Sequence, residues 1–293
     1  MKIAIATDTN SGITKEMIWE PGIYFLPMPV IVDGQMYAEG IDISSRQLYE
    51  AMKQHKEISS SQPSPGQLMD LWDGILQDGY DQIVYIPMSS GLSGSCATAL
   101  QLAADYDGKV QVVDNHRISV TQLESVFSAY RLAQQGYSVE EIKGYLEAHA
   151  YDASIYITVD SLEYLKKGGR ITPAVAAFAA VLNLKPVMTI QGDKLDAYAK
   201  ARGMRQARVK MIEAVRKDRA TRFGEVPDEL LQVGAAGTFE EEAQAQSWLR
   251  EVQEAFAPMP VFYAPLPCSI ACHVGMNAAG VGIMKKGIGS EVK

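Results

Sequence analysis

The chain has 293 residues, 47% of them hydrophobic, which is enough apolar material for one large or two medium domains. It has 27 lysines and arginines against 35 aspartates and glutamates, a net charge of −8. This balance argues against nucleic acid as a partner, because phosphate binding needs a basic surface. The three cysteines, Cys96, Cys268 and Cys272, are too few and too odd in number for a disulfide framework, so we expect a reducing compartment.

Targeting and membrane signals are weak throughout the sequence. Residues 1–8 lack the long apolar stretch and the cleavage site of a signal peptide. The longest apolar run, residues 174–182, is about half the length of a membrane span. We therefore expect a cytoplasmic protein with at most transient membrane contact.

The first part of the chain, residues 1–150, alternates between strand and helix patterns. Strands are predicted at 2–7, 24–32 (up to a hairpin at 33–34), 82–87 and 110–113. Helices are predicted at 44–55, 64–77, from about 95 to 106, at 119–135 and after Ser138. Such alternation predicts an N-terminal α/β domain, with a mostly parallel sheet and helices on both faces.

The second part, residues 151–293, predicts a C-terminal α+β domain. Strands are expected at 154–159, 186–190, 195–199, 230–235 and 261–263. Helices are expected at 162–167, at 172–182, at 203–217, and at 239–256 with Thr238 as the cap. We place the domain boundary near residue 150.

Two serine-rich loops, residues 59–66 and 89–95, stand where a strand passes into a helix. Ligands of parallel sheets bind beyond the carboxyl ends of the strands, and we expect both loops to project from that edge. Helix N-termini there offer free N–H groups and a partial positive charge. The loops therefore predict a site for an acidic group, although each loop alone is also consistent with ordinary helix capping.

Residues 91–95 nearly match the G-x-S-x-G nucleophile elbow, with Ser95 in place of the last glycine. A serine hydrolase would use Ser93 with His273 as its base, but no aspartate stands in an obvious orienting motif. Hydrolysis therefore stays open as the alternative function.

The Cys-x₃-Cys-His run at 268–273 is an unusual spacing with no second pair of ligands, so no metal site is expected. Arg170 follows a Gly-Gly break, where it either faces an anion or ends a solvated helix. The apolar helix 174–182 is consistent with core or with a groove for an alkyl chain. The basic stretch with Lys200, Arg202, Arg205 and Arg208 is consistent with docking or with solvation.

Several segments, taken together, resemble the DegV family of fatty-acid-binding proteins, which includes the lipid-binding subunit of bacterial fatty acid kinase. The resemblance extends over nearly the whole chain. The matching segments are Thr-Asp-Thr-Asn-Ser (7–11), Ser-Ser-Gln-Pro-Ser-Pro-Gly (60–66), Ser-Ser-Gly-Leu-Ser-Gly-Ser (89–95), Leu-Glu-Tyr-Leu-Lys-Lys-Gly-Gly-Arg-Ile (162–171), Leu-Asn-Leu-Lys-Pro (182–186) and Lys-x-Arg (200–202).

The resemblance implies two α/β domains with a long-chain fatty acid between them. The carboxylate would be held by Ser60, Ser93 and the backbone N–H of Gly94. His273 and Arg170 would extend this polar network. The acyl chain would run past the 174–182 helix, against Phe178, Val181 and Leu182.

The resemblance also implies a binding protein that is not itself an enzyme and that presents the lipid to a separate ATP-dependent kinase, which forms the acyl phosphate. In agreement, the sequence has no Walker loop and no dinucleotide fingerprint, and no cofactor is expected. Ser60 and Ser95 stand where the family has threonine. Residues 273–277, His-Val-Gly-Met-Asn, replace the family's His-Thr-Gly-Pro-Gly, which leaves the conformation of that loop open.

Elementary energetics favours a lipid over a small acid. Burial of about 14 methylenes of a sixteen-carbon chain stabilises the complex by about 11 kcal/mol before the costs of ordering and association. A buried carboxylate needs hydrogen bonds, which contribute about 1.5–3 kcal/mol each when the acceptor is charged. A lipid carrier is therefore the first hypothesis, beside a hydrolase and a small-molecule sensor that would stimulate no acyl kinase.

Overall fold

The structure of the chain, a computed structural model, describes residues 1–18, 21–178, 184–192 and 194–287. Its strands are β1 (Ile3–Asp8), β2 (Ile23–Leu26), β3 (Pro29–Val32), β4 (Gln35–Ala38), β5 (Ile58–Ser60), β6 (Gln82–Ile86), β7 (Val110–Val112), β8 (Ala153–Thr158), β9 (Leu184–Ile190), β10 (Asp196–Arg202), β11 (Leu231–Gly237), β12 (Val261–Pro265) and β13 (Ala279–Lys285). They form three sheets, of four, six and three strands.

The α-helices are α1 (Ser45–Lys53), α2 (Pro65–Gln77), α3 (Ser95–Ala103), α4 (Ser119–Gln134), α5 (Val139–Ala148), α6 (Glu163–Gly168), α7 (Pro173–Phe178), α8 (Met204–Thr221), α9 (Glu242–Phe256) and α10 (Cys268–Val274). Across the described ranges, no helix combines the length and the apolar character that crossing a bilayer requires.

The first large sheet has the strand order β2-β1-β6-β7, and every pair in it is parallel. Helices α2 and α3 contribute Trp72 and Cys96 to the apolar cluster on one face, while α4 and α5 contribute Val126 and Ile142 to the cluster on the other. The predicted parallel sheet with helices on both faces is confirmed.

The second large sheet has the order β10-β9-β8-β13-β11-β12, and only β11 and β12 are parallel. This mixed sheet with α8 and α9 confirms an α+β second part. The prediction was incomplete, however, because it placed no strand after residue 263. Strand β13 lies between β8 and β11 at the centre of the sheet, and the short helix α10 precedes it.

The third sheet is a small antiparallel one with the order β4-β3-β5. Ser60 ends β5 and pairs with Val30, so the first serine loop leaves this small sheet. The expectation that both serine loops project from one sheet edge was wrong, since only the 89–95 loop follows a strand of the parallel sheet. Long-range packing, not a shared sheet, brings the two loops together.

Three of the predicted helix starts are capping boxes. The side chains of Ser44, Ser64 and Ser138 each accept a hydrogen bond from the backbone N–H three residues on. The Gln or Glu side chain at that position in turn accepts the backbone N–H of the serine. Thr238 was predicted wrongly as a cap, since α9 begins only at Glu242. Its hydroxyl instead donates to the carbonyl of Gly275 and accepts from the N–H of Ala278.

Helix α4 lies between the two large sheets and packs on both. Its Val120 side chain meets the backbone of the second sheet at two glycines. A Cβ at Gly234 would lie 2.6 Å from Cβ of Val120, and one at Gly282 would lie 3.2 Å from Cγ2 of Val120. The absence of these side chains therefore allows the helix to approach β11 and β13 closely. One continuous apolar cluster consequently extends from the first sheet through α4 to the second.

We predict that Gly234→Ala lowers the free energy of unfolding by about 1–3 kcal/mol, because the new methyl overlaps Val120 in a packed core. Adding Val120→Ala should restore part of this loss, so that the double variant is more stable than the sum of the single effects. Denaturant unfolding measures both.

The matched control is Gly144→Ala in α5, where a Cβ would have no atom within 4 Å. This substitution is expected to stabilise by about 0.5–1 kcal/mol, as a helix-interior Gly→Ala change does. Full additivity of the Gly234 and Val120 substitutions would contradict the packing argument.

Candidate functional site

An apolar cavity lies where the loops beyond β1, β5 and β6 meet one face of the second sheet. The first half of the chain contributes Met28, Met88, Leu92, Ile118 and Val120, and the second half contributes Ile155, Ile157, Ile190, Leu266, Ile270 and Val274. Ile155 and Ile157 are alternate residues of β8, so both side chains stand on the same face. The cavity is therefore a property of both halves together and suits a hydrocarbon ligand.

Polar residues collect in the wall of this cavity. Among them are four of the five predicted ligand residues, Ser60, Ser93, Arg170 and His273. Oγ of Ser60 lies 2.9 Å from Nε2 of His273, although 213 residues separate them in the sequence. The structure thus brings these predicted groups to one place.

His273 is partly buried against helix α6. A Cβ at Gly168 would lie 2.4 Å from Nδ1 of His273, so only glycine leaves room for the ring. Burial and then the nearby positive charge of Arg170 lower the pKa of His273 to about 4. The imidazole is therefore neutral near pH 7 and carries one hydrogen. When that hydrogen is on Nε2, Ser60 accepts it and keeps its own hydroxyl hydrogen for a ligand.

Ser93 stands at the start of α3, where its Oγ accepts the backbone N–H of Ser95 at 3.2 Å. This bond uses an oxygen lone pair and leaves the hydroxyl hydrogen free to donate to an acceptor in the cavity. Gly94, the fifth predicted residue, is exposed and is not one of the cavity-lining residues. A Cβ at Gly94 would lie 3.2 Å from Oε1 of Gln62, so the glycine allows the two serine loops to approach each other.

Arg170 follows the left-handed Gly169, which ends α6 at φ 66°. Its guanidinium donates to the carbonyl of Gly168 and, at 3.4 Å, to that of Leu92 in the second serine loop. The side chain therefore joins the His273 region to the Ser93 loop and adds a positive charge at the polar end of the cavity.

The alternative hydrolase arrangement is not assembled. Nε2 of His273 bonds Ser60 rather than Ser93. Nδ1 of His273 has no hydrogen-bond partner among the described residues, whereas a catalytic imidazole needs an orienting acceptor there. Within the same residues, no group of three or more His, Cys, Asp or Glu side chains is placed to hold a metal ion.

The predicted acyl-chain residues lie at or beyond the edge of the described part of the chain. Val181 and Leu182 lie outside the described residues, and Phe178 is described only as the last residue of α7. Sequence reasoning missed the isoleucines of β8 and β9 that do line the cavity. Their alternation was a usable signal, but it equally fits an ordinary sheet core.

The 273–277 loop, left open by the sequence, adopts a tight turn. Gly275 ends α10 at φ 73°, and a Cβ there would lie 2.7 Å from the ring of Tyr164. Asn277 adopts φ 59°, a left-handed conformation that asparagine tolerates. The turn lets the chain leave α10 directly into β13.

Comparison with known proteins assigns the chain to a family. The profile of the DegV family, described as uncharacterised proteins, matches residues 2–286. A DegV domain-containing protein of Deinococcus radiodurans is 35% identical over 218 residues, which cover 74% of this chain and 77% of that protein. This chain belongs to the DegV family.

Solved structures agree in fold. A DegV family protein of Thermus thermophilus, studied for its fatty acid binding, is 26% identical, with a TM-score of 0.85 over 97% of this chain and 100% of that one. DegV of Bacillus subtilis, a fatty acid binding protein, is 26% identical, with a TM-score of 0.84 over 98% of this chain and 100% of that one. The two-part α/β architecture is therefore that of the family.

We predict a pH-dependent stability contribution from His273. Because its folded pKa lies below its ordinary value, the unfolded chain binds more protons between about pH 6.5 and 4, and this contribution is lost as pH falls through that range. Between pH 7 and pH 5, the wild type should lose about 1–2 kcal/mol relative to His273→Gln. Denaturant unfolding at both pH values measures this difference. His55→Asn, which removes an exposed imidazole, is the control, and parallel pH profiles for wild type and His273→Gln would contradict the assignment.

Proposed function

We propose that this protein binds one long-chain fatty acid, with its carboxylate at the Ser60, Ser93, Arg170 and His273 end of the cavity and its acyl chain in the apolar interior. The observation that carries the proposal is this combination of an apolar cavity with hydroxyl, imidazole and guanidinium groups gathered in its wall. The fatty acid binding of the Thermus and Bacillus relatives supports it.

The chemistry of the polar end favours a carboxylate over a neutral head group. Ser93 keeps a hydroxyl hydrogen, Ser60 keeps one when the His273 hydrogen is on Nε2, and Arg170 adds a positive charge close to them. Charge-assisted hydrogen bonds of this kind offset the cost of taking a carboxylate out of water. Since His273 is neutral at pH 7, it acts by positioning Ser60 and not as a counter-charge.

Ser93→Ala is predicted to weaken fatty acid binding by about tenfold or more, the cost of one hydrogen bond to a charged group. The control is Ser90→Ala in the same loop, an exposed hydroxyl that does not line the cavity. Calorimetric titration with laurate measures both variants against wild type. Equal affinities for wild type and Ser93→Ala would remove Ser93 from the carboxylate site.

We further propose that the protein presents the bound carboxylate to a separate ATP-dependent kinase as the phosphate acceptor. The exposed side chains of Arg202 and Arg205, on β10 and α8, are candidates for contact with an acidic partner. Arg208, grouped with them in the sequence, is engaged in an ion pair with Glu251 at 3.2 Å and packs near Trp248. It is therefore assigned to intramolecular packing.

Reversal of Arg202 and Arg205 to glutamate should reduce acyl-phosphate formation with a fatty acid kinase subunit while fatty acid binding is unchanged, because the substitutions alter the surface charge only. Arg250→Glu, on an exposed face of α9, is the control. Undiminished acyl-phosphate formation by the double variant would exclude this surface from docking.

A further inference from the structure

The wall of the cavity has a second set of polar groups, apart from the four proposed head-group residues. Asn10, just after β1, and Ser269, in the first turn of α10, both line the cavity, and they are only 2% and 3% exposed. Ser269 and His273 are four residues apart on one helix, so their Cβ atoms are about 5–6 Å apart on the same face. A lipid head held at His273 is therefore within reach of this second set.

Ser269 joins Asn10 to a buried carboxyl group, that of Glu39. Oγ of Ser269 lies 3.0 Å from Oδ1 of Asn10 and 3.1 Å from Oε1 of Glu39, while its backbone N–H donates to Oε2 at 2.7 Å. Thr9 accepts the N–H of Met28 and donates its hydroxyl hydrogen to Glu39. Glu39 is 3% exposed and lines a second cavity, together with Cys268, the residue before Ser269.

The hydrogen bonds that connect Glu39, Ser269 and Asn10 can be arranged in two ways. The Ser269 hydroxyl has a single hydrogen but faces two oxygens. If Glu39 is protonated, Glu39 donates to Ser269, Ser269 donates to Oδ1 of Asn10, and the amide keeps Nδ2 for the cavity side. If Glu39 is ionised, Ser269 donates to Glu39, and the Asn10 amide must turn so that Nδ2 donates to Ser269. The protonation of Glu39 thus decides which atom of the Asn10 amide, Nδ2 or Oδ1, makes no hydrogen bond to Ser269.

In the state in which Ser269 donates to Oδ1 of Asn10, Nδ2 of Asn10 has no hydrogen bond to a described residue. Nδ2 of Asn10 is buried and lies beyond hydrogen-bond distance of every acceptor among the described residues, although its amide is near enough to the Asp8 carboxyl group to lower the pKa of that group. An unpaired buried amide N–H is unfavourable, so an oxygen of a ligand in the cavity would stabilise this state. A carboxylate, which only accepts hydrogen bonds, selects this state over the other.

We propose that Asn10 is a further contact for the lipid carboxylate, and that Ser269 couples it to Glu39, so that the protein takes up a proton at Glu39 when the fatty acid binds. This inference rests on the proposed function and adds to it a binding residue and a proton linkage.

The surroundings of Glu39 are compatible with a proton at neutral pH. Burial, with a smaller effect from the neighbouring Asp8, raises the pKa of Glu39 to about 7 against the hydrogen bonds it accepts. Cys268 and Cys272 of α10 face it as thiols whose pKa values burial raises, that of Cys268 to about 12. Lys15 and Glu16 line the second cavity with it. Asp8 is a second buried carboxyl group near Glu39, and burial raises its pKa as well.

The decisive measurement is the number of protons taken up when laurate binds, obtained from calorimetric titrations in buffers of different ionisation enthalpy. At pH 8 the wild type should take up about half a proton or more, and its affinity should fall about tenfold between pH 6 and pH 8.5. Glu39→Gln, which mimics the protonated state, should bind with no linked proton and with the same affinity at both pH values. Equal proton uptake by wild type and Glu39→Gln would overturn the linkage and point to Asp8 or His273.

Asn10→Leu tests the contact itself. It should weaken laurate binding at pH 6 by about tenfold while leaving dodecanol, which has no carboxylate, unaffected. The matched control is Asn115→Leu, another fully buried asparagine whose Nδ2 is unpartnered among the described residues and which does not line the cavity. Thermal unfolding without lipid confirms that both variants fold.

The outcomes separate this inference from the function on which it rests. Full affinity of Asn10→Leu, together with weakened binding by Ser93→Ala, would overturn the Asn10 contact and leave fatty acid binding intact. If the wild type itself binds neither laurate nor palmitate, both are overturned. If Asn10→Leu does not fold, the proton count of Glu39→Gln still decides the linkage.

Discussion

The buried carboxyl group of Asp8 is the interaction on which the site depends. It is 0% exposed at the end of β1, and it accepts the backbone N–H of Met88 at 2.9 Å, that of Asn10 at 3.0 Å, and an N–H of the Gln122 side chain at 3.2 Å. Burial raises its pKa, and these hydrogen bonds oppose that rise. One carboxyl group therefore fixes the start of the second serine loop, the turn that carries Asn10, and the position of α4.

The other parts of the site are positioned by packing against the segments that Asp8 holds. Met88 begins the segment that ends in Ser93, whose Oγ accepts the backbone N–H of Ser95 where α3 begins. The opposite side comes from α10, which carries Ser269 and His273 and which the central strand β13 follows. Polar groups thus come from chain segments far apart in the sequence, while strands β8 and β9 supply the apolar side chains of Ile155, Ile157 and Ile190. This division suits an amphipathic ligand.

Local signals in the sequence predicted local structure well. The capping serines Ser44, Ser64 and Ser138 act within three residues, and all three predictions were confirmed. Strand β13 was missed because its Ala-Gly-Val-Gly-Ile-Met-Lys sequence has small residues where alternation would show, and one of them, Gly282, allows the approach of α4. The pairing of Ser60 with His273 depends on contacts between three sheets, so only the family resemblance, and no periodicity, pointed to it.

The position of α4 has a consequence for the kinetics of ligand exchange. Because Val120 packs directly on the glycine backbone of β11 and β13, separation of the two large sheets would expose one continuous core to water. A hinge motion of that kind is therefore as costly as partial unfolding and too rare to set the rate of exchange. The short strand β5 and helix α10, by contrast, belong to the smaller apolar cluster around the third sheet, and two hydrogen bonds, Ser60 to His273 and Cys272 to Ser59, join them at the cavity. Entry and release should accordingly be limited by local opening at this end, with a rate that is insensitive to the global stability of the fold.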